Sequence, residues 1–137
     1  MPEPRRIRGL IDTSVVLDLE RLDPADLPTE LAISAVTLAE LAAGPHATAD
    51  AAERARRQDR LQRAEAAFEP LPVDADVARA YGRVYAAIVA GGTKARGRRP
   101  LDLLIAATGL ANDLPVYTCN PADFQDLASL IDVVSIP

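Results

Sequence analysis

Four acidic residues stand in settings where they could do chemistry together. They are Asp12 at the end of an apolar strand, Glu40 on a short helix, Asp102 opening an apolar helix, and Asp123 just after a late strand. In a parallel α/β sheet the turns from strand to helix meet at one edge, the usual place for a site. Carboxylates gathered there repel one another unless hard divalent cations hold them. The pattern predicts a small metal-dependent enzyme acting on phosphate esters.

The first two acidic residues also have purely structural interpretations. Asp12 could form a helix cap or an Asx turn. Thr13 and Ser14 add hydroxyls that could hold a metal-bound water or a phosphate oxygen, but Ser14 could equally be a plain cap for the helix that follows. Thr37 and Glu40 have capping-box spacing. The apolar neighbours of Glu40 favour a functional role, because an exposed capping residue would not need them.

The other two acidic residues lie in the second half of the chain. Asp102 in the first turn of a helix would interact favourably with the helix dipole, but residues 101–111 are otherwise uncharged, so a decorative surface carboxylate is unexpected there. Asp123 could likewise be a first-turn charge. Asn120 precedes a proline as a natural turn residue, and Asn120 or Thr118 could line the pocket instead.

The elements that would position these residues alternate between strand and helix. Strands are predicted at 7–11, 31–34, 114–118 and 131–136, and helices at 15–20, 36–43, within 46–67, at 77–88, 101–111 and 121–127. Residues 68–73 contain two prolines, which suits an edge strand or a connector. The alternation predicts an α/β fold, a three-layer α/β/α sandwich with a central, mostly parallel sheet. The length of 137 residues fits one domain spanning residues 1–137.

Composition narrows the class of protein. Aromatic residues make up 4% of the chain and tryptophan is absent, which argues against a base-stacking platform for single strands. One cysteine, Cys119, cannot form an intramolecular disulfide and is interpreted as a buried thiol. His46 is the one histidine and is expected on the surface, so neither a His/Cys zinc site nor a Cys-His dyad is predicted. With no leader or membrane-spanning pattern, we expect a cytoplasmic protein without a membrane partner.

The net charge of −5 is awkward for a protein that binds a polyanion, but the basic residues are clustered. The arginines between Arg54 and Arg63 are interpreted as a solvated helix face. The loop from Lys94 to Arg99 runs straight into Asp102 and places positive charge where a polyanionic substrate needs it. Arg98 and Arg99 are therefore predicted substrate contacts, with Asn120 as a third.

Four short motifs, taken in order, resemble those of PIN-domain ribonucleases, and most closely the VapC toxins of bacterial toxin–antitoxin pairs. The motifs are Ile11–Ser14, Thr37–Leu41, Arg99–Ala107 and Thr118–Phe124. Each is weak alone, but their order in a chain of this length is specific. The resemblance covers essentially the whole chain.

This resemblance implies a Mg²⁺- or Mn²⁺-dependent endoribonuclease that forms a homodimer and is held inactive by a cognate antitoxin. Asp12, Glu40 and Asp102 fall on the family's acidic positions, and Asp123 falls near the fourth, which varies in placement. Thr13 or Ser14 matches the small polar position beside the first aspartate. An antitoxin of this family commonly places a basic side chain among the carboxylates.

The hypothesis is that the four carboxylates bind one or two Mg²⁺ ions, so that a metal-activated water cleaves an RNA phosphodiester. One alternative is a carboxylate-metal phosphohydrolase for small phosphate esters, although Ser14 stands where a haloacid-dehalogenase phosphatase would carry its second aspartate. Another is a non-catalytic acidic module that docks a basic partner. Such a dock would need no divalent ion, and its binding would weaken with salt rather than with chelator.

Overall fold

A computed structural model of the chain describes residues 7–92 and 100–137. The strands are β1 (Arg8–Ile11), β2 (Glu30–Ala32), β3 (Val116–Thr118) and β4 (Val133–Ser135), and the helices are α1 (Thr13–Asp18), α2 (Ala35–Ala43), α3 (Ala51–Ala67), α4 (Ala75–Ala90) and α5 (Pro100–Ala111). Short 3-10 turns lie at Leu19–Arg21, Pro24–Asp26, Gly44–Ala47 and Pro121–Phe124. Within the described ranges no helix is both long and apolar enough to cross a bilayer.

The four strands form one parallel sheet in the order β2-β1-β3-β4. Leu10 of β1 pairs with Ala32 on one side and with Val116 on the other. From β1 the chain goes outward to β2, and from β3 it goes outward in the opposite direction to β4. The carboxyl ends of β1 and β3 therefore flank the point where the connections diverge, which is where open α/β sheets bind ligands.

The sheet separates two apolar cores. Leu10 and Val116 face the core built with α4 and α5. The next residues along the same strands, Ile11 and Tyr117, face the core built with α1 and α3. Successive strand residues point to opposite faces, so the apolar strands need a helical layer on each side. The predicted three-layer α/β/α sandwich is confirmed.

The layer of α4 and α5 approaches the sheet closely at one residue. A β-carbon added to Gly109 would lie 2.7 Å from Val116 Cγ2 and 3.2 Å from the Leu114 carbonyl oxygen. One end of α5 therefore lies against β3 because position 109 has no side chain. Deeper in this layer the hydroxyls of Ser34 and Thr108 are 3.1 Å apart, and both are fully buried, which joins the start of α2 to α5.

Of the structural interpretations weighed for these residues, the helix cap at Asp12 is confirmed and two others are wrong. Ser14 does not cap the first helix, because α1 begins at Thr13 and Asp12 is its N-cap. The capping box of Thr37 and Glu40 is also wrong, because Ser34 caps α2 by accepting a hydrogen bond from the Val36 N–H at 3.0 Å. In both places the helix begins earlier than predicted, at Thr13 and at Ala35. The cap is the first polar side chain after the strand.

Smaller differences concern edges and burial. Residues 68–73 form a connector, one of the two predicted alternatives, and Leu71 makes an isolated bridge to Ser34 just after β2. The predicted last helix is a 3-10 turn, Pro121–Phe124. Cys119 is half-buried rather than buried, and His46 is exposed as predicted.

We predict that Gly109→Ala lowers the free energy of unfolding by about 1–3 kcal/mol, because the added methyl group overpacks the α5–β3 contact. The matched control is Gly82→Ala in α4, where an added β-carbon meets nothing within 4 Å. That change should stabilise the protein by about 0.5–1 kcal/mol through helix propensity. Denaturant unfolding measures both, and equal stabilisation by the two changes would contradict the close approach.

Candidate functional site

Asp12 is the first residue after β1 and lies at the carboxyl end of the sheet. Its backbone N–H donates to the Tyr117 carbonyl of β3 at 3.0 Å. Its Oδ1 accepts hydrogen bonds from the Val15 N–H at 3.1 Å and from the Ser14 hydroxyl at 2.6 Å. The residue is only 4% exposed. The carboxylate is therefore fixed at the divergence of β1 and β3 by the same bond that starts α1.

The electrostatic setting of Asp12 is unfavourable to its charge. Burial raises the pKa of Asp12 above its ordinary value, and the negative charge of Asp123 raises it further. Hydrogen bonds from Ser14, Thr118 and the Val15 N–H act in the opposite direction but do not cancel the effect of burial. Across the described part of the chain, Asp12 makes no ion pair with a cationic side chain. A buried carboxylate beside a second carboxylate is a setting that a divalent cation relieves.

Glu40 is joined to this site through Thr13. The Thr13 hydroxyl donates to Glu40 Oε1 at 2.8 Å and lies 3.1 Å from the hydroxyl oxygen of Thr37. Because Thr13 has one hydroxyl proton and gives it to Glu40, the buried Thr37 hydroxyl is the donor in the second bond. Glu40 is half-buried on α2. A side chain next to Asp12 in sequence thus orients a carboxylate from another helix.

Ser14 joins α1 to the segment that follows β3. Its hydroxyl donates to Asp12 and accepts the Cys119 N–H at 3.1 Å. The Thr118 hydroxyl in turn accepts the Asn120 N–H at 2.9 Å. The proton of each hydroxyl is therefore available to Asp12, while its oxygen is held by the backbone. Sequence reasoning weighed Ser14 as a cap or a ligand, but its structural role is to orient Asp12.

The two later acidic residues lie on separate elements, the turn after β3 and helix α5. Asp123 is half-buried in the 3-10 turn after β3, where its N–H donates to the Asn120 carbonyl at 3.0 Å. Asp102 is half-buried in the first turn of α5. That helix packs against both α2, which carries Glu40, and the turn that carries Asp123. Asn120 is exposed at the start of the turn.

Comparisons of this chain with known proteins agree on one family. The family model described as the PIN domain matches residues 9–130. The chain is 37% identical to ribonuclease VapC5 of Mycobacterium tuberculosis over 131 residues, covering 93% of this chain and 91% of the relative. It is 40% identical to ribonuclease VapC8 of the same species over 101 residues, covering 73% of this chain and 88% of the relative.

The chain belongs to the PIN-domain family. A solved structure agrees with this: a member of the VapBC family of toxin-antitoxin systems, VapBC-5 from Mycobacterium tuberculosis, superimposes with a TM-score of 0.80 at 34% identity. That match covers 95% of this chain and 99% of the solved one. The resemblance inferred from the four sequence motifs is therefore confirmed at the level of family and fold.

In this PIN domain Asp12, Asp123 and Glu40 are connected to one another but do not form a closed ligand shell, and Asp102 lies in the first turn of a helix that packs against α2 and the Asp123 turn. Asp12 and Asp123 interact electrostatically, and Glu40 is connected to them through Thr13. Within residues 7–92 and 100–137, no three acidic, histidine or cysteine side chains are close enough to hold one metal ion together. The predicted substrate contacts Arg98 and Arg99 lie outside the described residues.

The donor set nevertheless fits a hard divalent cation. Every candidate ligand is a carboxylate oxygen, and Mg²⁺ keeps several waters and needs only one or two carboxylates in direct contact. Asp12 and Asp123 are suited to direct contact, since the negative charge of Asp123 helps to raise the pKa of the buried Asp12 carboxyl. Glu40 and Asp102 are suited to contact through water. The hydroxyls of Thr13, Ser14 and Thr118 hold the carboxylates in place, as residues surrounding a metal site commonly do.

Sequence reasoning missed a wall of charged α3 residues beside the site. A cavity of about 400 Å³ is lined by Thr13 and Glu40 and by Glu53, Arg57 and Arg60 of α3. Asp18 and Arg21 line it as well. The spacing of Arg57 and Arg60 by three residues places both on one helix face. This spacing could have indicated a basic helix face, but nothing in the sequence showed which element the face would pack against.

We predict that Asp12→Asn stabilises the metal-free protein at pH 7. A carboxyl group with a raised pKa binds its proton more tightly in the folded state than in the unfolded state, so its contribution to stability falls as pH rises from 3.8 through the folded-state pKa. At pH 7 the ionised Asp12 therefore lowers the free energy of unfolding, and replacement by the neutral asparagine should raise it again. Thermal unfolding in chelator should show a higher midpoint for the variant, and the difference should shrink toward pH 4.

The control for this experiment is Asp23→Asn. Asp23 is an exposed aspartate that also caps a turn, by accepting from the Ala25 N–H at 2.9 Å. Its replacement should change stability by less than about 0.5 kcal/mol. An Asp12→Asn protein that is less stable than the original at pH 7 would contradict the electrostatic account of the site.

Proposed function

We propose that this PIN domain is a ribonuclease, the toxin component of a toxin–antitoxin pair, and that it hydrolyses RNA phosphodiester bonds at the edge marked by Asp12. The observation that carries the proposal is the buried Asp12 carboxylate, held at the carboxyl end of a parallel sheet with Asp123 as a like-charged neighbour. The relatives named ribonuclease VapC5 and VapC8 and the matching VapBC structure support the assignment.

The active site combines metal-binding carboxylates with residues that orient them. Asp12 and Asp123 would hold Mg²⁺ or Mn²⁺ directly, with Glu40 and Asp102 contributing through water. Such an ion supplies Lewis-acid polarisation of the scissile phosphate and a lowered pKa for a bound water. Ser14 fixes the orientation of the Asp12 carboxylate. Thr13 fixes Glu40 in the same way, so the site is preorganised before RNA arrives.

The proposed partners follow from the acidic edge and from the relatives. Solved structures with this fold include toxin–antitoxin complexes, which supports a cognate antitoxin for this chain. A basic antitoxin side chain placed among the carboxylates would replace the cation and block the site, since an opposite charge stabilises the ionised form of a buried carboxylate. We further propose a homodimer acting in the cytoplasm, where its RNA substrate is found.

We predict that replacing the ligand carboxylates abolishes cleavage while replacing the orienting hydroxyls weakens it. Asp12→Asn and Asp102→Asn should each slow Mg²⁺-dependent cleavage of an end-labelled RNA by more than about 100-fold, and Ser14→Ala by about 10–100-fold, the range seen for residues that orient metal ligands. Asp23→Asn, on the exposed turn, should cleave like the original protein.

Single-turnover cleavage rates with Mg²⁺, Mn²⁺ and chelator provide the measurement. Undiminished cleavage by both carboxylate variants would refute the mechanism. Cleavage that persists in chelator would refute metal dependence. A protein that cuts small phosphate esters but leaves RNA intact would instead favour the phosphohydrolase alternative.

A further inference from the structure

Helix α3 carries five arginines, and four of them have partners in the structure. Arg54 donates to the Pro45 and Thr48 carbonyls, Arg56 to Glu53, Arg57 to Glu53 and the Gly44 carbonyl, and Arg63 pairs with Asp59 and Glu20. These side chains either bond α3 to neighbouring segments or form ion pairs on its solvated face. The contacts of these four arginines agree with the interpretation of residues 54–63 as a solvated helix face.

Arg60 is different. It is half-buried, yet among the described residues it makes neither a hydrogen bond nor an ion pair. A guanidinium stays charged at any ordinary pH, and removing it from water without a partner is costly. A residue kept in this state is suited to an anion that arrives from outside the chain.

The position of Arg60 indicates where such an anion would bind. Arg60 lines the cavity of about 400 Å³ that also contains Thr13 and Glu40 of the candidate active site. It equally lines an adjoining cavity of about 380 Å³ between α1 and α3. Both cavities share Leu17, Asp18 and Arg21 as well as Arg60. A groove therefore passes from the carboxylates over Arg60 and along α3.

The charges of this groove favour a polyanion once the active site holds its cation. Arg57 and Glu53 neutralise each other at 3.1 Å. The remaining charged side chains of the cavity are Arg60 and Arg21 against Asp18 and Glu40. A divalent cation near Glu40 would leave the wall positive. With a cation bound, the charge of this groove is therefore more favourable to a polyanion than the net charge of −5 suggests.

We propose that Arg60, assisted by Arg21, binds a phosphate of the RNA strand next to the scissile phosphodiester. The inference rests on the proposed ribonuclease function and adds a substrate-binding residue to it. A guanidinium fork matches two phosphate oxygens, and RNA must continue past the active site in some direction. The groove along α3 provides that direction.

The experiment measures binding of a fluorescent single-stranded RNA oligonucleotide by anisotropy. It uses an Asp102→Asn background, so that binding is separated from cleavage, and Mg²⁺ is present because the charge of the groove depends on a bound cation. We predict that Arg60→Gln weakens binding about tenfold, as expected for a lost charge-assisted contact. The plot of log affinity against log salt should become shallower by about 0.7 for one lost phosphate contact. Arg60→Lys should retain the salt slope but not the full affinity, and Arg21→Gln should show a smaller loss.

Arg83→Gln is the matched control, because Arg83 is an exposed arginine of α4, on the opposite face of the sheet, and makes no hydrogen bond or ion pair within the described ranges. It removes the same charge and should leave RNA affinity within about twofold. In the cleaving protein with Mg²⁺, Arg60→Gln should raise KM more than it lowers kcat, since a phosphate contact away from the reacting bond contributes mainly to binding. Thermal unfolding checks that each variant folds, and Arg60→Lys and Arg21→Gln carry the test if Arg60→Gln does not.

Unchanged affinity, salt slope and KM in Arg60→Gln, in a protein that does cleave RNA, would overturn the inference and leave the proposed function intact. An original protein that cleaves no RNA would instead overturn the proposed function. Polyglutamate serves as a non-nucleic-acid polyanion. A variant that loses affinity for polyglutamate but not for RNA would assign the groove to an acidic protein segment and refute the RNA contact.

Discussion

The buried carboxylate of Asp12 is the constraint around which the rest of the site is arranged. It accepts the N–H that starts α1, it lies where the sheet connections diverge, and its backbone is bonded to β3. The same hydrogen bonds that stabilise the strand-to-helix turn keep a charge in a place where it is unfavourable. A bound cation would stabilise such a charge, and this is the physical basis of the metal-dependent function proposed above.

The hydroxyl groups around Asp12 explain how carboxylates from distant parts of the chain are oriented. Thr13 belongs to α1 but holds Glu40 of α2, and Ser14 holds Asp12 while accepting the Cys119 N–H, 105 residues away. Each hydroxyl has one proton and directs it to a carboxylate. The result is a set of acidic side chains whose positions are set by neighbours rather than by the ion itself, which reduces the reorganisation needed when a cation and a substrate bind.

Much of this arrangement could be read from the sequence, because it depends on local signals. Asp12 follows an apolar strand, Asp102 opens an apolar helix, and alternating strands and helices imply a parallel sheet whose turns share one edge. The role of Ser14 could not be read, since it depends on a backbone N–H from the other end of the chain. Nor could Arg60 be separated from the other arginines of α3. Its distinction is that it has no partner among residues 7–92 and 100–137, and partners are decided by tertiary packing.

Direct measurement of Mn²⁺ binding tests the central claim. In a titration followed by electron paramagnetic resonance, the original protein should bind Mn²⁺ and Mg²⁺ should displace it, because both are hard cations held by carboxylate oxygens. Asp12→Asn should lose this binding while remaining folded, and Asp23→Asn should keep it. If Asp12→Asn binds Mn²⁺ as tightly as the original protein, or if the original protein takes up none, Asp12 is not the residue around which this site is built.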